Sequence, residues 1–174
     1  MAETLVQPDK LSDSQSEYMK LIAEIKKKKK RGEKPLAYIR TYGGQQNVDD
    51  REKIKGMLSD SGFDFADSPD NADFILFNTC AVREHAEDRV FGNVGALKNL
   101  KRKHPQILIA LCGCMMEQEH VANRIYKSFP FVGLVFGTHS LHHFPELMYN
   151  SLVNGKRVFE RGNDDHKLYE GIPV

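Results

Sequence analysis

Short runs of apolar residues alternate along this chain with segments in which apolar residues recur every three or four positions. The runs predict buried β-strands, and the recurring pattern predicts amphipathic helices that pack against them. From residue 36 onward this alternation predicts five strands, and a further edge strand is expected at 157–160. The five strands are predicted at 36–42, 63–66, 72–79, 107–113 and 132–136.

Helices are predicted before the first strand and between or after the others. Ser14 and Glu17 match a capping box, so the first helix is expected to begin there and to end before Pro35. The remaining helices are predicted at 49–61, 83–103, 116–128 and 141–152. Gly92 and Gly95 weaken the longest of them, and we expect these glycines to allow close packing on the sheet.

Strands that alternate with helices predict an α/β fold. We expect a flavodoxin-like, doubly wound parallel five-stranded sheet in the order 2-1-3-4-5, flanked by helices and joined by right-handed crossovers. The predicted organisation is an N-terminal extension with a helix and a basic tract at 1–34, the α/β domain at 35–155, and a tail at 156–174. In this strand order, the loops after strands 1, 3 and 4 open onto one edge of the sheet.

The composition fits a single domain of ordinary size. The chain has 174 residues, of which 40% are hydrophobic. No apolar run approaches the roughly 18 residues that a membrane-spanning helix needs, and the first residues do not match a secretion signal. Three cysteines without a short-spaced disulfide framework favour a reducing compartment. These features predict a cytoplasmic protein that does not contact a membrane.

Positive charge is concentrated in one tract near the N terminus, although the net charge of the chain is only +1. Residues 26–34 hold seven basic residues and Glu33, a net charge of +6, which leaves −5 for the rest of the chain. Such a run favours a solvated segment. The alternative is an arm that contacts nucleic-acid phosphates without reading sequence.

Two cysteines lie where a predicted strand gives way to a helix. Cys80 follows the strand at 72–79, and Cys114 follows the strand at 107–113. Since the carboxyl ends of neighbouring parallel strands meet at one edge of a sheet, the two thiols are expected to lie together there. Thiolates are soft ligands that suit an iron–sulfur cluster or zinc. A helix that begins just after each cysteine is expected to favour the thiolate.

Three polar residues near this edge are candidates for hydrogen bonds to the sulfur atoms of a cluster. They are Asn47, Asn78 and Thr79. The loop after the first strand carries Gly44 and supplies no thiol. Cys112 is a candidate for the missing ligand, but its place within a strand favours a core residue instead.

Other chemistries have weaker support. Gly43 and Gly44 permit a phosphate to approach the backbone, but neither a dinucleotide fingerprint nor a Walker sequence is present, which disfavours flavin or nucleotide binding. A zinc site at three clustered histidines lacks further ligands, so surface histidines beside a helix are favoured. These histidines are His139, His142 and His143. His85 is a weak partner for nucleophilic chemistry at Cys80.

Three segments carry a resemblance to a known family. They are Thr41-Tyr42-Gly43-Gly44-Gln45-Gln46-Asn47, Asn78-Thr79-Cys80-Ala81-Val82-Arg83-Glu84 and Gly113-Cys114-Met115-Met116-Glu117-Gln118. In this order and spacing they resemble the N-terminal domain of the radical S-adenosylmethionine methylthiotransferases. The closest resemblance is to the MiaB-like branch, which acts on isopentenyladenosine in tRNA. It covers roughly residues 36–160, and residues 91–98 and 137–139 are also similar to that branch.

In that family the N-terminal domain holds one four-iron (4Fe-4S) cluster through three cysteines, one from each segment. The resemblance implies that Cys80 and Cys114 are the second and third ligands. The first ligand belongs at position 44, where this chain has Gly44, and Gln46 stands where the family has methionine. The implied cluster site therefore lacks one cysteine.

The family's reaction also needs parts that these residues do not match. A central radical domain binds S-adenosylmethionine and a second cluster at a Cys-x-x-x-Cys-x-x-Cys motif, which this sequence lacks, and a small C-terminal domain helps to bind tRNA. The resemblance therefore implies one domain of a tRNA-modifying enzyme, with 156–174 as the linker toward the radical domain and no methylthio transfer by this domain alone. The alternative is a cluster-free α/β module that docks on tRNA or on a partner domain.

Overall fold

The computed structural model describes residues 13–30, 33–42, 45–79 and 84–160. These residues form one parallel sheet of six strands in the order β2-β1-β3-β4-β5-β6. The strands are β1 (Leu36–Thr41), β2 (Asp64–Phe65), β3 (Phe74–Thr79), β4 (Leu108–Gly113), β5 (Leu134–Phe136) and β6 (Val158–Glu160).

Helices cover both faces of the sheet. They are α1 (Asp13–Lys30), α2 (Gln45–Asp60), α3 (Glu84–Gly95), α4 (Lys98–Lys103), α5 (Glu119–Ser128) and α6 (Phe144–Asn154). Side chains of α1, α2 and α6 pack on one face, and those of α3, α4 and α5 pack on the other. Short 3₁₀ helices lie at Pro69–Asn71, Cys114–Glu117 and Thr138–His143.

The fold class predicted from the sequence is confirmed, with one strand more in the sheet than the five predicted. The first five strands have the predicted order, and β6 adds a parallel edge strand beside β5 within the segment predicted at 157–160. The strand β6 joins the sheet because Val158 and Phe159 are buried against its two opposite faces.

The central strands are apolar on both sides because each face meets a helix layer. In β3, Phe74 and Leu76 pack toward α1, α2 and α6, whereas Ile75 and Phe77 pack toward α3 and α5. All four side chains are nearly inaccessible to solvent. This two-sided burial fixes the positions at which β3 and its neighbour β4 reach the carboxyl edge.

The prediction of a single helix at 83–103 was wrong. The structure has α3 and α4 instead, and the chain turns between Gly95 and Lys98. The expected close packing of the glycines was also wrong, because a Cβ atom on Gly92 would meet nothing within 4 Å and one on Gly95 would meet only Phe129, at 3.9 Å. Gly92 is exposed, and nothing in the surroundings of Gly92 requires a glycine.

The helix predicted at 116–128 begins later than expected. Cys114 opens the 3₁₀ helix Cys114–Glu117, and α5 starts only at Glu119. The four-residue 3₁₀ helix does not provide the array of aligned peptide dipoles expected beside the thiol. The predicted helix dipole at Cys114 is therefore absent, and this interpretation was wrong for Cys114.

Helix α1 packs closely on the rest of the domain. Ile22 is fully buried, and the ring of Tyr18 lies tilted against that of Tyr149 of α6, with 5.3 Å between the ring centroids. Gln15 donates to the carboxylate of Glu146 and accepts from its backbone N–H, both at 3.1 Å. The domain boundaries predicted at 35 and 155 stay predictions, but α1 and β6 both contribute to the hydrophobic core.

Part of the basic tract lies in this packed region. Lys26 has only 3% of its surface exposed, so it does not belong to a solvated arm. Side chains 27–32 lie outside the described residues, and the prediction that they contact phosphates stays a prediction. Within the described ranges, none of the helices is long and apolar enough to cross a membrane.

Candidate functional site

The last full row of the sheet carries polar side chains at its centre. The register pairs Thr41 with Asn78, Asn78 with Cys112, and Cys112 with Phe136. Asn78 is fully buried, and the thiol of Cys112 donates to its side-chain oxygen at 3.7 Å. The next residue of β3, Thr79, donates its hydroxyl to the carbonyl of Cys112 at 2.7 Å. These bonds join the ends of β3 and β4.

A narrow crevice lies above this row, between α2 and the loop after β5. Its walls include Asp50 and Ile54 of α2, Asn78, Cys112 and Leu141. It is narrower than a water molecule. The crevice therefore continues the packed interior and does not form a ligand cavity.

Cys112 is the core residue that its position predicts. Burial raises the pKa of the Cys112 thiol well above its ordinary value, and the nearby carboxylate of Asp50 raises it further. A thiol that stays protonated and donates to Asn78 is a poor metal ligand, because metals bind the thiolate. Cys112 therefore does not replace the ligand missing at position 44.

Gly113 brings the two strand ends into direct backbone contact. Its φ of 112° lies in the region that favours glycine, and a Cβ atom on it would lie 2.2 Å from the carbonyl oxygen of Thr79. Cys114 follows at once, and its Sγ lies 4.0 Å from the same carbonyl oxygen. The exposed thiol of Cys114 thus lies beside the last described residue of β3.

The two described cysteines should differ strongly in reactivity toward iodoacetamide. Cys114 is exposed, whereas Cys112 is buried and its pKa is raised, so its thiolate is scarce at neutral pH. We expect Cys114 to be alkylated in the native protein and Cys112 only after unfolding in urea. Mass spectrometry of the tryptic peptides from a Cys114→Ser variant separates the two thiols. Native alkylation of Cys112 at the rate of Cys114 would contradict this assignment.

The other predicted site residues lie only partly within the described structure. Gly44 and Cys80 lie outside the described residues, and Asn47 belongs to α2 but its side chain is not described. Asn78 and Thr79 both bond to Cys112, and the thiol of Cys114 lies 4.0 Å from the carbonyl oxygen of Thr79, whereas the predicted role of these residues at a cluster stays a prediction. Within the described part of the chain, no three His, Cys, Asp or Glu side chains are grouped to hold a metal ion.

Glu117 is a site residue that the sequence reasoning missed. Its carboxylate accepts the backbone N–H of His139 at 3.3 Å, and a Cβ atom on Gly137 would lie only 1.9 Å from it. The 3₁₀ helix that begins at Cys114 is thereby attached to the loop after β5. The sequence did hold a signal for Glu117, because residues 113–118 and 137–139 both belong to segments that carry the family resemblance.

Among the described residues, the clustered histidines are not grouped with a further ligand for a metal ion. The rings of His142 and His143 lie 4.0 Å apart, and Nδ1 of His143 is 4.0 Å from the carboxylate of Glu146. Burial lowers the pKa of His142, His143 lowers it further, and Glu160 opposes the shift. His139 is exposed and contributes its backbone N–H to Glu117. The predicted preference for histidines beside a helix agrees with this arrangement.

The available thiols do not fit a four-iron cluster held by three cysteines. The chain has three cysteines in all, and one of them, Cys112, is protonated and bonded inside the core. At most two thiols, those of Cys80 and Cys114, remain for the carboxyl edge. Gly44 cannot supply the third, so the ligand set of this chain is incomplete.

These features define a doubly wound α/β domain with a cysteine-bearing edge formed by β3 and β4. The model of the uncharacterized protein family UPF0004 matches residues 36–137, which span β1 to the end of β5. The chain belongs to this family. The resemblance to the N-terminal domain of the methylthiotransferases is confirmed by the relatives that follow.

Proteins with the name tRNA-2-methylthio-N(6)-dimethylallyladenosine synthase are similar to this chain. The one from Clostridium perfringens strain SM101 is 46% identical over 142 residues, which cover 82% of this chain and 32% of the relative. The one from Caldicellulosiruptor saccharolyticus is 48% identical over 145 residues, 83% of this chain and 31% of the relative. The chain therefore spans about a third of the length of these relatives.

Proposed function

We propose that this chain is the N-terminal domain of an enzyme that adds a methylthio group to isopentenyladenosine in tRNA. The observation that carries the proposal is the glycine-enforced contact between Gly113 and Thr79, which places Cys114 beside the end of β3. The names of the relatives supply the reaction and the substrate. Because the chain accounts for about a third of their length, it is assigned a role as one domain in that reaction.

The proposed cluster positions are Cys80 and Cys114, with Gly44 at the position of the third ligand. Thr79 contributes to this edge by joining the strands, since its only hydroxyl proton is donated to the carbonyl of Cys112. Asn78 accepts from the Cys112 thiol in the same row. Both residues therefore position the edge. The proposed hydrogen bond from Asn47 to sulfur stays a prediction.

The remaining parts of the reaction are assigned to the longer protein. A radical domain that binds S-adenosylmethionine and a tRNA-binding domain are its proposed partners in one polypeptide. Since the thiols of this chain do not complete a four-iron cluster, no chemical step is assigned to such a cluster here. Among the described residues, the chain provides a strand edge with an exposed thiol at Cys114.

A second candidate function is a cluster-free module that docks on tRNA or on a partner domain. The observation that favours it is the incomplete thiol set, with Gly44 at the family's ligand position and Cys112 buried in the core. The two candidates differ in one respect that is easy to measure. Restoring the missing thiol should create an iron site only if the rest of the cluster pocket is retained.

The Gly44→Cys variant tests this directly. After anaerobic reconstitution with iron and sulfide, we expect it to gain about four irons per chain over the unmodified protein, with the charge-transfer absorbance of an iron–sulfur cluster. The physical reason is that a third thiolate completes the proposed pocket beside Cys80 and Cys114. Iron content by colorimetric assay and the visible spectrum are the two measurements.

A Gly92→Cys variant is the matched control for an added thiol. Gly92 is exposed on α3, and a side chain there meets no neighbour within 4 Å. This variant should bind no more iron than the unmodified chain. Equal iron in the two variants, or no gain in Gly44→Cys, would reject the cluster assignment and favour the docking module.

A further inference from the structure

A groove lies on the α3 face of the sheet, beside the cysteine-bearing edge. Tyr38 of β1 and Phe77 of β3 form its floor, and Asn93 and Leu97 stand on its wall. The groove encloses about 530 Å³ of space open to solvent, and Arg40 lies at its rim. It is open because only the two-residue strand β2 lies beyond β1.

Arg40 at the rim of this groove and Arg89 of α3 are exposed, and both lie over the ring of the buried Tyr42. The guanidinium carbon of Arg40 lies 5.0 Å from the ring centroid of Tyr42, and that of Arg89 lies 5.8 Å from it. Tyr42 is held in place: Asn93 donates to its hydroxyl at 2.7 Å, and its backbone N–H donates to the carbonyl of Asn78 at 2.8 Å. Both guanidinium groups therefore lie within 6 Å of the centroid of one fixed ring.

This pair of charges is not neutralised inside the described structure. Among the described residues, neither Arg40 nor Arg89 forms an ion pair with a carboxylate. Their guanidinium carbons are no farther apart than the sum of their two distances to the Tyr42 ring centroid, so one anion can be attracted by both charges. Planar guanidinium groups match the oxygen atoms of a phosphate especially well.

The rest of the groove accepts an uncharged planar group. Its floor is aromatic, and its lining includes Asp70, whose carboxylate disfavours a second phosphate. Asn93 presents its amide beside the floor, as a group that can hydrogen-bond the edge of a base. A nucleotide can place its phosphate at the two arginines and its base in the groove. This arrangement matches the positive charge of the arginines and the shape of the groove.

We propose that Arg40 and Arg89 bind a phosphodiester group of single-stranded RNA, whose adjoining base enters the groove against Tyr38. This inference rests on the proposed function, which brings RNA to the carboxyl edge of the sheet. The register places Arg40 opposite Phe77, one row before the row of Asn78 and Cys112. RNA bound at Arg40 therefore lies next to the cysteine-bearing edge.

The test uses the whole chain and a fluorescein-labelled single-stranded RNA of about ten nucleotides. By fluorescence anisotropy, Arg40→Gln/Arg89→Gln is expected to bind the RNA about tenfold more weakly than the unmodified chain, and its affinity should depend less steeply on salt, by about one unit of slope. Arg51→Gln/Arg102→Gln removes the same charge away from the groove and should change the affinity by less than about twofold.

Two further ligands identify the occupant. An abasic RNA of the same length should bind more weakly than the base-containing RNA if a base enters the groove. Adenosine monophosphate should compete poorly, and competition at the same concentration as the RNA would assign the site to a free nucleotide instead. Equal losses in the two double variants, or no RNA binding by the unmodified chain, would overturn the inference. Iron uptake by Gly44→Cys would still decide the proposed function independently.

Discussion

Replacing Gly113 by alanine is expected to lower the free energy of unfolding by at least about 3 kcal/mol. The alanine Cβ atom would lie 2.2 Å from the carbonyl oxygen of Thr79 and 2.7 Å from its nitrogen, both of which are backbone atoms. The strands must then separate, because no side chain can move aside to relieve the contact. The positive φ of Gly113 adds strain for any residue with a Cβ atom.

Urea unfolding followed by circular dichroism measures this loss, with Gly92→Ala as the matched control. The control replaces a glycine inside α3, where the new methyl group meets nothing within 4 Å. It is expected to stabilise the protein by about 0.5–1 kcal/mol, because alanine favours a helix over glycine. A Gly113→Ala protein with unchanged stability would show that the ends of β3 and β4 do not approach as described.

Replacing Arg157 by alanine is expected to lower the free energy of unfolding by about 3–5 kcal/mol. Arg157 is only 6% exposed, and its guanidinium group donates to four backbone carbonyls at 2.8–3.2 Å. These carbonyls belong to Ile125, Tyr126, Phe129 and Val132. Three of them lie at or just beyond the end of α5, where Ile125 also accepts from the N–H of Phe129 and Phe129 from that of Val132, both at 3.0 Å.

The Arg157→Lys variant distinguishes charge from geometry. Lysine keeps the positive charge but cannot donate to four carbonyls in a planar arrangement, so most of the stability should still be lost. Arg102→Ala removes an exposed arginine from α4 and should change stability by less than about 0.5 kcal/mol. Urea unfolding of the three variants gives the comparison. Full stability in Arg157→Lys would mean that charge alone holds the end of α5.

The order of the strands was predictable because it follows from a local pattern. Each apolar run is followed by a helical one, and right-handed connections then leave few ways to arrange the strands. The break between α3 and α4 was not predictable in this way. Val94, Leu97 and Leu100 continue the helical spacing across the break, so the apolar pattern alone indicated one helix.

The candidate site shows the same division between local and distant determinants. The placement of Cys114 at a strand end followed from the sequence, whereas the φ of Gly113 and its contact with Thr79 depend on a residue 34 positions away. Helix α1 was predicted as part of an extension because its apolar stripe is short and runs into lysines. Its packing on α6 depends on partners such as Tyr149 and Glu146, which its own sequence does not reveal.

The closeness of residues 79 and 113 has a consequence for how this edge tolerates change. The atoms that meet there belong to the main chain, and the hydroxyl of Thr79 adds a bond to the carbonyl of Cys112 beside them. An added Cβ atom at residue 113 disturbs this contact. None of the atoms in this contact belongs to position 44, so the contact itself needs no cysteine there.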